Sequence, residues 1–317
     1  MKENEARGAG ADEVQGTAAK TRVAFQGAPG AFSEEAAERL LGPEVQTVPR
    51  ATFESLFRAL PEGAADALLA PLENSLAGSV ARVYDLLVES HLWLAGEVVL
   101  RIEHHLIGCP GARLDEIRAV ESHPVALAQC ERFLAGHPQW KRIAAEDTAG
   151  SVREVLRRGD ATFAAIASRR AAEIYGGEIL QSNIEDDAEN YTRFGLLMPQ
   201  ARAPQHDPQA DKVTLTMRLT HRPGALYHAL RPFADRGLNL MKIESRPIQG
   251  RPWEYRFFLD VGFAPGQDLE AALEELRTET QDVRILGRYR SAPVFSAGGG
   301  ATARIAGTRV DPTRRAE

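Results

Sequence analysis

Asn183-Ile184-Glu185-Asp186-Asp187-Ala188-Glu189-Asn190-Tyr191-Thr192-Arg193-Phe194-Gly195-Leu196-Leu197-Met198 is the stretch from which the rest of the chain is read. Its first half is acidic and turn-prone and has little to bury. At Tyr191 it changes to an alternating run that reads as a strand. Thr192 and Arg193 then stand at the mouth of that strand, a hydroxyl donor beside a carboxylate clamp. The plainer alternative is a loop with an Asx turn whose Thr and Arg face solvent. The neighbouring segments decide between the two.

Upstream, one grammar repeats. Arg22-Val23-Ala24-Phe25 is a short strand running into Gly27-Ala28-Pro29-Gly30 and a helical pattern from Ser33 to Leu41. Asp66-Ala67-Leu68-Leu69-Ala70 leads through Pro71-Leu72-Glu73-Asn74-Ser75 to a helix from Ser79 to Glu89. Leu92 to Ile102 and His105 to Ile107 are strand-like. Arg118-Ala119-Val120-Glu121 is followed by Ser122-His123-Pro124 and a helix from Val125 to Leu134. Arg142-Ile143-Ala144-Ala145 precedes Asp147-Thr148-Ala149-Gly150-Ser151 and a helix to Arg158, and Thr162 to Ile166 and Ser168 to Tyr175 close the series. Such units predict an α/β architecture with largely parallel sheets, in which ligands bind beyond the carboxyl ends of the strands. Ser33, Asn74, Ser75, Ser122 and Thr148 stand at helix starts, where each can serve as a cap. Clustered helix N-termini also suit an anionic ligand. The turn at Gly27 is no dinucleotide fingerprint, since GxGxxG is absent.

Pro199 to Ala210 carries three prolines and almost nothing apolar, so it reads as a linker. Beyond it the order is strand (Lys212–Leu219), helix (Ala225–Arg236), strand (Asn239–Pro247), strand (Trp253–Val261), helix (Leu269–Arg277) and strand (Val283–Arg290). That βαββαβ order is the ferredoxin-like plan. Residues 1–20 and 291–317 are rich in Gly, Ala and charge and are expected to be disordered tails.

A chain of 317 residues has room for about two domains, each with its own core. Apolar residues at 44% and charged residues at 26% are ordinary for globular proteins. The net charge of −6 and the absence of a basic stripe with interleaved aromatics argue against nucleic acid as a partner. No segment reads as a signal peptide or a membrane span, which makes a cytoplasmic protein with no membrane partner the expectation. The two cysteines, Cys109 and Cys130, sit in apolar contexts and read as packing residues.

Taken in order, seven of these stretches resemble one family, the prephenate dehydratases and the related arogenate dehydratases, with a C-terminal ACT domain. They are Gln26-Gly27-Ala28-Pro29-Gly30-Ala31-Phe32-Ser33-Glu34, Glu73-Asn74-Ser75-Leu76-Ala77-Gly78-Ser79-Val80 and Ser122-His123-Pro124-Val125-Ala126-Leu127-Ala128-Gln129-Cys130. Asp147-Thr148-Ala149-Gly150-Ser151, Asn190-Tyr191-Thr192-Arg193-Phe194, His221-Arg222-Pro223-Gly224-Ala225-Leu226 and Glu244-Ser245-Arg246-Pro247 complete the set. The resemblance implies a two-lobed, periplasmic-binding-protein-like catalytic domain over 21–200. Its lobes would be 22–101 with 185–200, and 102–184. A linker (201–210) would lead to a ferredoxin-like ACT regulatory domain (211–290).

The activity implied is lyase chemistry, the decarboxylative dehydration of prephenate to phenylpyruvate in L-phenylalanine biosynthesis. Arogenate dehydratase, forming L-phenylalanine directly, is the alternative; a non-catalytic two-lobed sensor of an amino acid or anion is the reading from another class. The opening Gln26 stretch looks nearer the arogenate-using branch. Aromatisation drives the reaction, so no metal or organic cofactor is expected, and His104-His105 lacks companions at metal-like spacing. Thr192 is implied as the essential hydroxyl. An aliphatic hydroxyl is too weak an acid at working pH, so a hydrogen bond to the leaving oxygen is easier to defend, with a proton relayed from water or Glu73. Glu73 reads equally well as a structural cap or ion-pair partner. Ser33, Glu73, Asn74, Ser75, Thr148 and Arg193 are expected around the substrate, and Phe194 against its ring or in the core. Gly224, Ala225, Leu226, Glu244, Ser245, Arg246 and Pro247 are expected to bind L-phenylalanine between paired ACT units. That arrangement implies a homo-oligomer, dimer or tetramer.

Overall fold

A computed structural model describes residues 20–204 and 207–293. The two expected tails lie outside these residues, apart from Lys20 and residues 291–293. The first sheet contains β1 (Arg22–Gln26), β2 (Gln46–Arg50), β3 (Ala67–Asn74), β4 (Gly78–Ser79), β5 (Leu92–Arg101) and β11 (Tyr191–Pro199). Helices α1 (Phe32–Leu41), α2 (Phe53–Arg58) and α3 (Ala81–Ser90) connect its strands. The second sheet holds β6 (His105–Gly108), β7 (Ala119–Ser122), β8 (Lys141–Ala144), β9 (Phe163–Ala167) and β10 (Glu178–Gln181). Its helices are α4 (Pro124–Ala128), α5 (Glu131–Ala135), α6 (Thr148–Arg158) and α7 (Arg169–Tyr175). The third comprises β12 (Lys212–Arg218), β13 (Asn239–Pro247), β14 (Tyr255–Gly262) and β15 (Asp282–Tyr289), with α8 (Ala225–Asp235) and α9 (Leu269–Glu279).

The first two sheets are alike in plan. In the first, ordered β2-β1-β3-β11-β5, strands β2, β1 and β3 pair in parallel while β11 runs against both its neighbours. In the second, ordered β10-β6-β9-β7-β8, the parallel strands are β9, β7 and β8, and β6 is the reversed one. The sheets are therefore mixed rather than largely parallel. The reason is the chain path: β6 and β11 are the two strands that have just crossed from the other lobe, and each enters its sheet head-on. Central strands such as β3 are buried on both faces at the start, which explains their unbroken apolar runs.

The helix expected from Val125 to Leu134 is broken into α4 and α5. At the break, the Gln129 carbonyl accepts a hydrogen bond from Asp186 N at 2.7 Å, outside any helical ladder. The kink turns the Gln129 side chain toward the other lobe. Segments β2, α2 and β10, not read from the sequence, complete the edges.

The third sheet is ordered β13-β14-β12-β15, as the ferredoxin-like plan requires. One face is covered by α8 and α9 around Leu215, Phe233, Leu259 and Leu273. Its other face shares a core with the first lobe, where Phe258, Leu286 and Tyr289 pack among Tyr84, Leu94 and Leu197. At that seam β15 approaches β5 so closely that a Cβ added at Gly287 would overlap the Leu94 carbonyl oxygen.

The first two lobes meet at Gly30, whose carbonyl accepts from the Ser168 hydroxyl at 2.7 Å. Beside it Arg170 of α7 reaches Glu38 of α1 at 2.6 Å. Gly30 has φ +88°, and a Cβ there would lie 2.8 Å from the Ala171 backbone. We predict that Gly30→Ala destabilises the chain by about 1–3 kcal/mol. Urea unfolding measures this, and an unchanged midpoint would refute the close approach.

Candidate active site

Between the first two lobes lies a cavity of about 420 Å³. Ser33 of α1, Asn74 of β3 and Ser79 of β4 line it from the first lobe; Gln129 and Thr148 line it from the second. Ile102 and His104, on the first crossing between lobes, and Thr192 and Phe194, on β11 after the return, complete the wall.

Strand register chooses which residues reach this space. Thr192 on β11 lies opposite Asn74 on β3, and Arg193 lies opposite Glu73. Side chains on a strand alternate between faces, so these pairs must point in opposite directions. Thr192 and Asn74 face the cavity; Arg193 and Glu73 do not line it. A bulge follows, and Phe194 pairs with Pro71 rather than Leu72. Both Phe194 and Pro71 line the cavity, while Leu72 turns to the core. The bulge is also where a proline, lacking an N–H, is tolerated within a sheet.

The polar side chains form a chain of hydrogen bonds with a fixed direction. Asn74 Oδ1 accepts from the backbone N–H groups of Leu76 and Ala77 at 3.0 and 2.8 Å. Its amide is thereby locked, and Nδ2 donates to Thr192 Oγ1 at 2.9 Å and to Asn190 Oδ1 at 2.7 Å. Asn190 Nδ2 then donates to Gln129 Oε1 at 3.1 Å, and Gln129 Nε2 returns to Asn74 Oδ1 at 3.2 Å. Thr192 Oγ1 thus receives a hydrogen bond from the protein and keeps its own proton for something else.

Arg193, expected to clamp a substrate carboxylate, is already occupied. Its guanidinium pairs with Glu73 at 3.3 Å, Glu97 at 3.0 Å and Asp260 of β14 at 2.8 Å. Lys212 holds Glu97 at 2.7 Å and Lys242 holds Glu73 at 2.9 Å. Three cations thus meet three carboxylates at the junction with the third sheet. Burial tends to raise Glu97, but Lys212 and Arg193 outweigh it and hold the carboxyl below its usual range. Glu73 is depressed in the same way, burial being opposed by Lys242 and Arg193. The expectation that Arg193 and Glu73 line the substrate site is corrected by strand alternation. Ser75 is outside as well: its hydroxyl accepts from Tyr191 N at 2.9 Å and donates to Glu189 O at 2.8 Å, stapling the two loops together.

Residues 23–202 match the family model described as prephenate dehydratase, and residues 213–279 match that of the ACT domain. The chain belongs to the prephenate dehydratase family. A relative from Arabidopsis thaliana, named arogenate dehydratase/prephenate dehydratase 1, chloroplastic, is 40% identical over 86% of this chain and 73% of its own length. A solved prephenate dehydratase from Arthrobacter aurescens, in complex with L-Phe, superposes with a TM-score of 0.75 at 31% identity, covering 85% of this chain and 89% of the other. Another solved chain, described as a novel type of quorum quenching acylase, has a TM-score of 0.77 at 36% identity, over 86% and 98% of the two chains.

In this dehydratase-family chain the two ACT stretches converge, because β12 and β13 both pair antiparallel with β14 and so end at one side of the sheet. Gly224, with φ +78°, opens α8 there, and Ala225 and Leu226 form its first turn. The second stretch is split by alternation. The Glu244 carboxylate accepts from Ser79 of the cavity wall at 2.9 Å and Arg246 pairs with Asp85 at 3.1 Å, whereas Ser245 and Pro247 are exposed on the opposite face.

Sequence reasoning passed over Gln129, His104 and Ser79 as polar groups of the cleft, and Asn190 as the buried link behind them. The period of two along Tyr191–Phe194 was visible and would have separated Thr192 from Arg193. Nothing in the sequence announced the Gln129 kink. We predict that Arg193→Met destabilises the full chain by about 3–5 kcal/mol, since it strands buried carboxylates. The penalty should shrink as pH falls and Glu97 takes up a proton, because a depressed carboxyl gives its stability above its usual range and loses it below. Urea midpoints across pH measure both; a wild-type midpoint with only a raised KM would restore Arg193 to the role of clamp.

Proposed function

We propose that the chain converts prephenate to phenylpyruvate by joint loss of carbon dioxide and water. The observation that carries this reading is the Thr192 hydroxyl, which accepts from Asn74 and keeps its proton free toward the cavity. The electron pair of the breaking C–CO₂ bond enters the ring, the ring C–O bond breaks with its pair on oxygen, and the oxygen leaves as water with one added proton. Thr192 acts as a hydrogen-bond donor to that oxygen, and solvent supplies the net proton. Glu73 is a poor relay because Arg193 and Lys242 engage it on the other side of β3.

Among the described residues that line the cavity there is no Arg or Lys. Carboxylates of the substrate meet neutral donors instead: Ser33 and the first turn of α1, and Thr148 with the first turn of α6. Phe194, buried on the same wall, supports the ring. Arogenate is the second reading, because Glu146 and Asp147 also line the cavity and would pair with its ammonium group. An acylase, as one structural neighbour is described, fits less well. A nucleophilic hydroxyl needs an adjacent base, and among the described residues no hydroxyl of the cavity hydrogen-bonds a histidine.

The ACT unit is read as a sensor of L-phenylalanine, with Gly224, Ala225 and Leu226 offering backbone N–H groups and Glu244, Ser245, Arg246 and Pro247 the second wall. A homo-oligomer is supported by the open outer edge of β13 and by exposed Tyr227, Met241 and Ile243 near it. Among the described residues no helix is long and apolar enough to cross a membrane, which is compatible with a cytoplasmic enzyme.

We predict that Thr192→Ala lowers phenylpyruvate formation about 10²–10³-fold with the fold retained by circular dichroism. Thr192→Ser should keep far more activity than Thr192→Val; a well-folded, fully active Thr192→Ala would end the proposal. Parallel assays with arogenate rank the two substrates. Calorimetry on the full chain should detect L-phenylalanine binding, with activity altered in its presence; no binding heat at any temperature would remove the sensor role.

A further inference from the structure

His104 stands at the first crossing between the lobes. Its backbone N donates to Glu185 of the second crossing at 2.9 Å, and its carbonyl accepts from Ile184 N at 2.9 Å. The ring is only 2% exposed, meets Phe32 edge-on at 5.6 Å between centroids, and forms part of the cavity wall. Nε2 lies 3.0 Å from Gln129 Oε1.

The direction of that last hydrogen bond follows from the far end of the chain. The backbone N–H groups of Leu76 and Ala77 fix Asn74 Oδ1 as an acceptor. Each later link inherits its sense: Asn74 donates to Asn190, Asn190 donates to Gln129 Oε1, and Gln129 Nε2 donates to Asn74. Gln129 Oε1 can only accept, so His104 Nε2 must carry a proton. On the other side of the ring, Nδ1 is buried without a partner among the described residues. Burial, only partly opposed by Gln129 and Glu185, keeps the imidazole below its usual range. A residue serving only to fill this space would do so better as a phenylalanine or leucine, with no orphaned nitrogen. What the imidazole adds is one donor, delivered to Gln129.

We propose that His104, neutral and protonated on Nε2, is a positioning residue that holds Gln129 against Asn74 and so keeps the Thr192 proton aimed into the cavity. It borders the cavity but acts through Gln129 and Asn74, since its side-chain hydrogen bond goes to Gln129. Gln129 belongs to the second lobe, Asn74 and Thr192 to the first, and Asn190 and His104 to the crossings. The donor at the leaving group is therefore oriented only while both lobes and both crossings are in register.

This deepens the dehydratase reading of Thr192 and rests on it. The test uses the full chain, with His104→Gln, whose amide reproduces an Nε2 donor, against His104→Asn and His104→Phe, which cannot. His104→Asn and His104→Phe should lower kcat roughly tenfold or more with KM changed less than about threefold. His104→Gln should stay within about threefold of the parent. Nitrogen-15 NMR of histidine-labelled protein, with His104→Gln as the assignment control, should show Nε2–H and a bare Nδ1. That spectrum needs neither turnover nor the refolding of any apolar variant. An Nδ1–H or doubly protonated His104 at neutral pH overturns the proposal. So does a His104→Gln variant as slow as His104→Phe, or a folded His104→Phe at full speed. Failure of the dehydratase reading would instead appear as a Thr192→Ala variant at parental rate with the His104 spectrum unchanged.

Discussion

Everything that reaches the cleft depends on one register, Thr192 of β11 opposite Asn74 of β3. Because side chains alternate, a slip of β11 by one residue would send Arg193 into the cavity and turn Thr192 toward the third sheet. Two features hold the register. Farther along the strands, Leu196 faces Leu69 and Leu197 faces Leu68, all fully buried. Behind the wall, the guanidinium of Arg193 is held by three carboxylates from three different strands. The bulge beside it then resets the alternation, bringing Phe194 and Pro71 to the cavity together.

The distribution of charge around that register bears on the chemistry. The cations nearest the cleft are neutralised on the far side of the sheet, and the wall itself offers amides, hydroxyls and helix N-termini, with the carboxylates of Glu146 and Asp147 beside them. A dianionic substrate loses one charge as its carboxylate departs as neutral carbon dioxide. A cation gripping that carboxylate would stabilise the ground state more than the transition state, and so slow the reaction. Neutral donors avoid that penalty.

Much of the architecture was legible in the sequence because its signals are local. Strand-turn-helix units, the proline-rich junction and the βαββαβ order all follow from periodicity and turn residues within a dozen positions. Thr192, Asn74, Ser33, Thr148 and Phe194 were singled out, and all line the cavity. What was misjudged depends on pairing across distance. The partner that Arg193 meets across the sheet, Asp260, lies 67 residues away along the chain, and no pattern around position 193 encodes it. The reversed strands β6 and β11 follow from the route of the chain between lobes rather than from composition. The kink at Gln129 depends on a hydrogen bond from Asp186 in a remote loop. Alternation within Thr192-Arg193-Phe194 was local, and reading the residues as one motif obscured it.

Gly287 leaves room for nothing but a hydrogen where β15 meets the Leu94 carbonyl. Sensor modules of this kind are portable in principle, since a short linker is all that joins them to the chain before. Here the seam is keyed: any module fused behind this catalytic unit must present a side-chain-free position at that point of its last strand. It must also bring an acidic residue in place of Asp260. Recombination between homologous genes would thus preserve the pair only when the crossover leaves Leu94 and Gly287 matched. The two halves are expected to diverge in concert, one partner's substitutions constraining the other's.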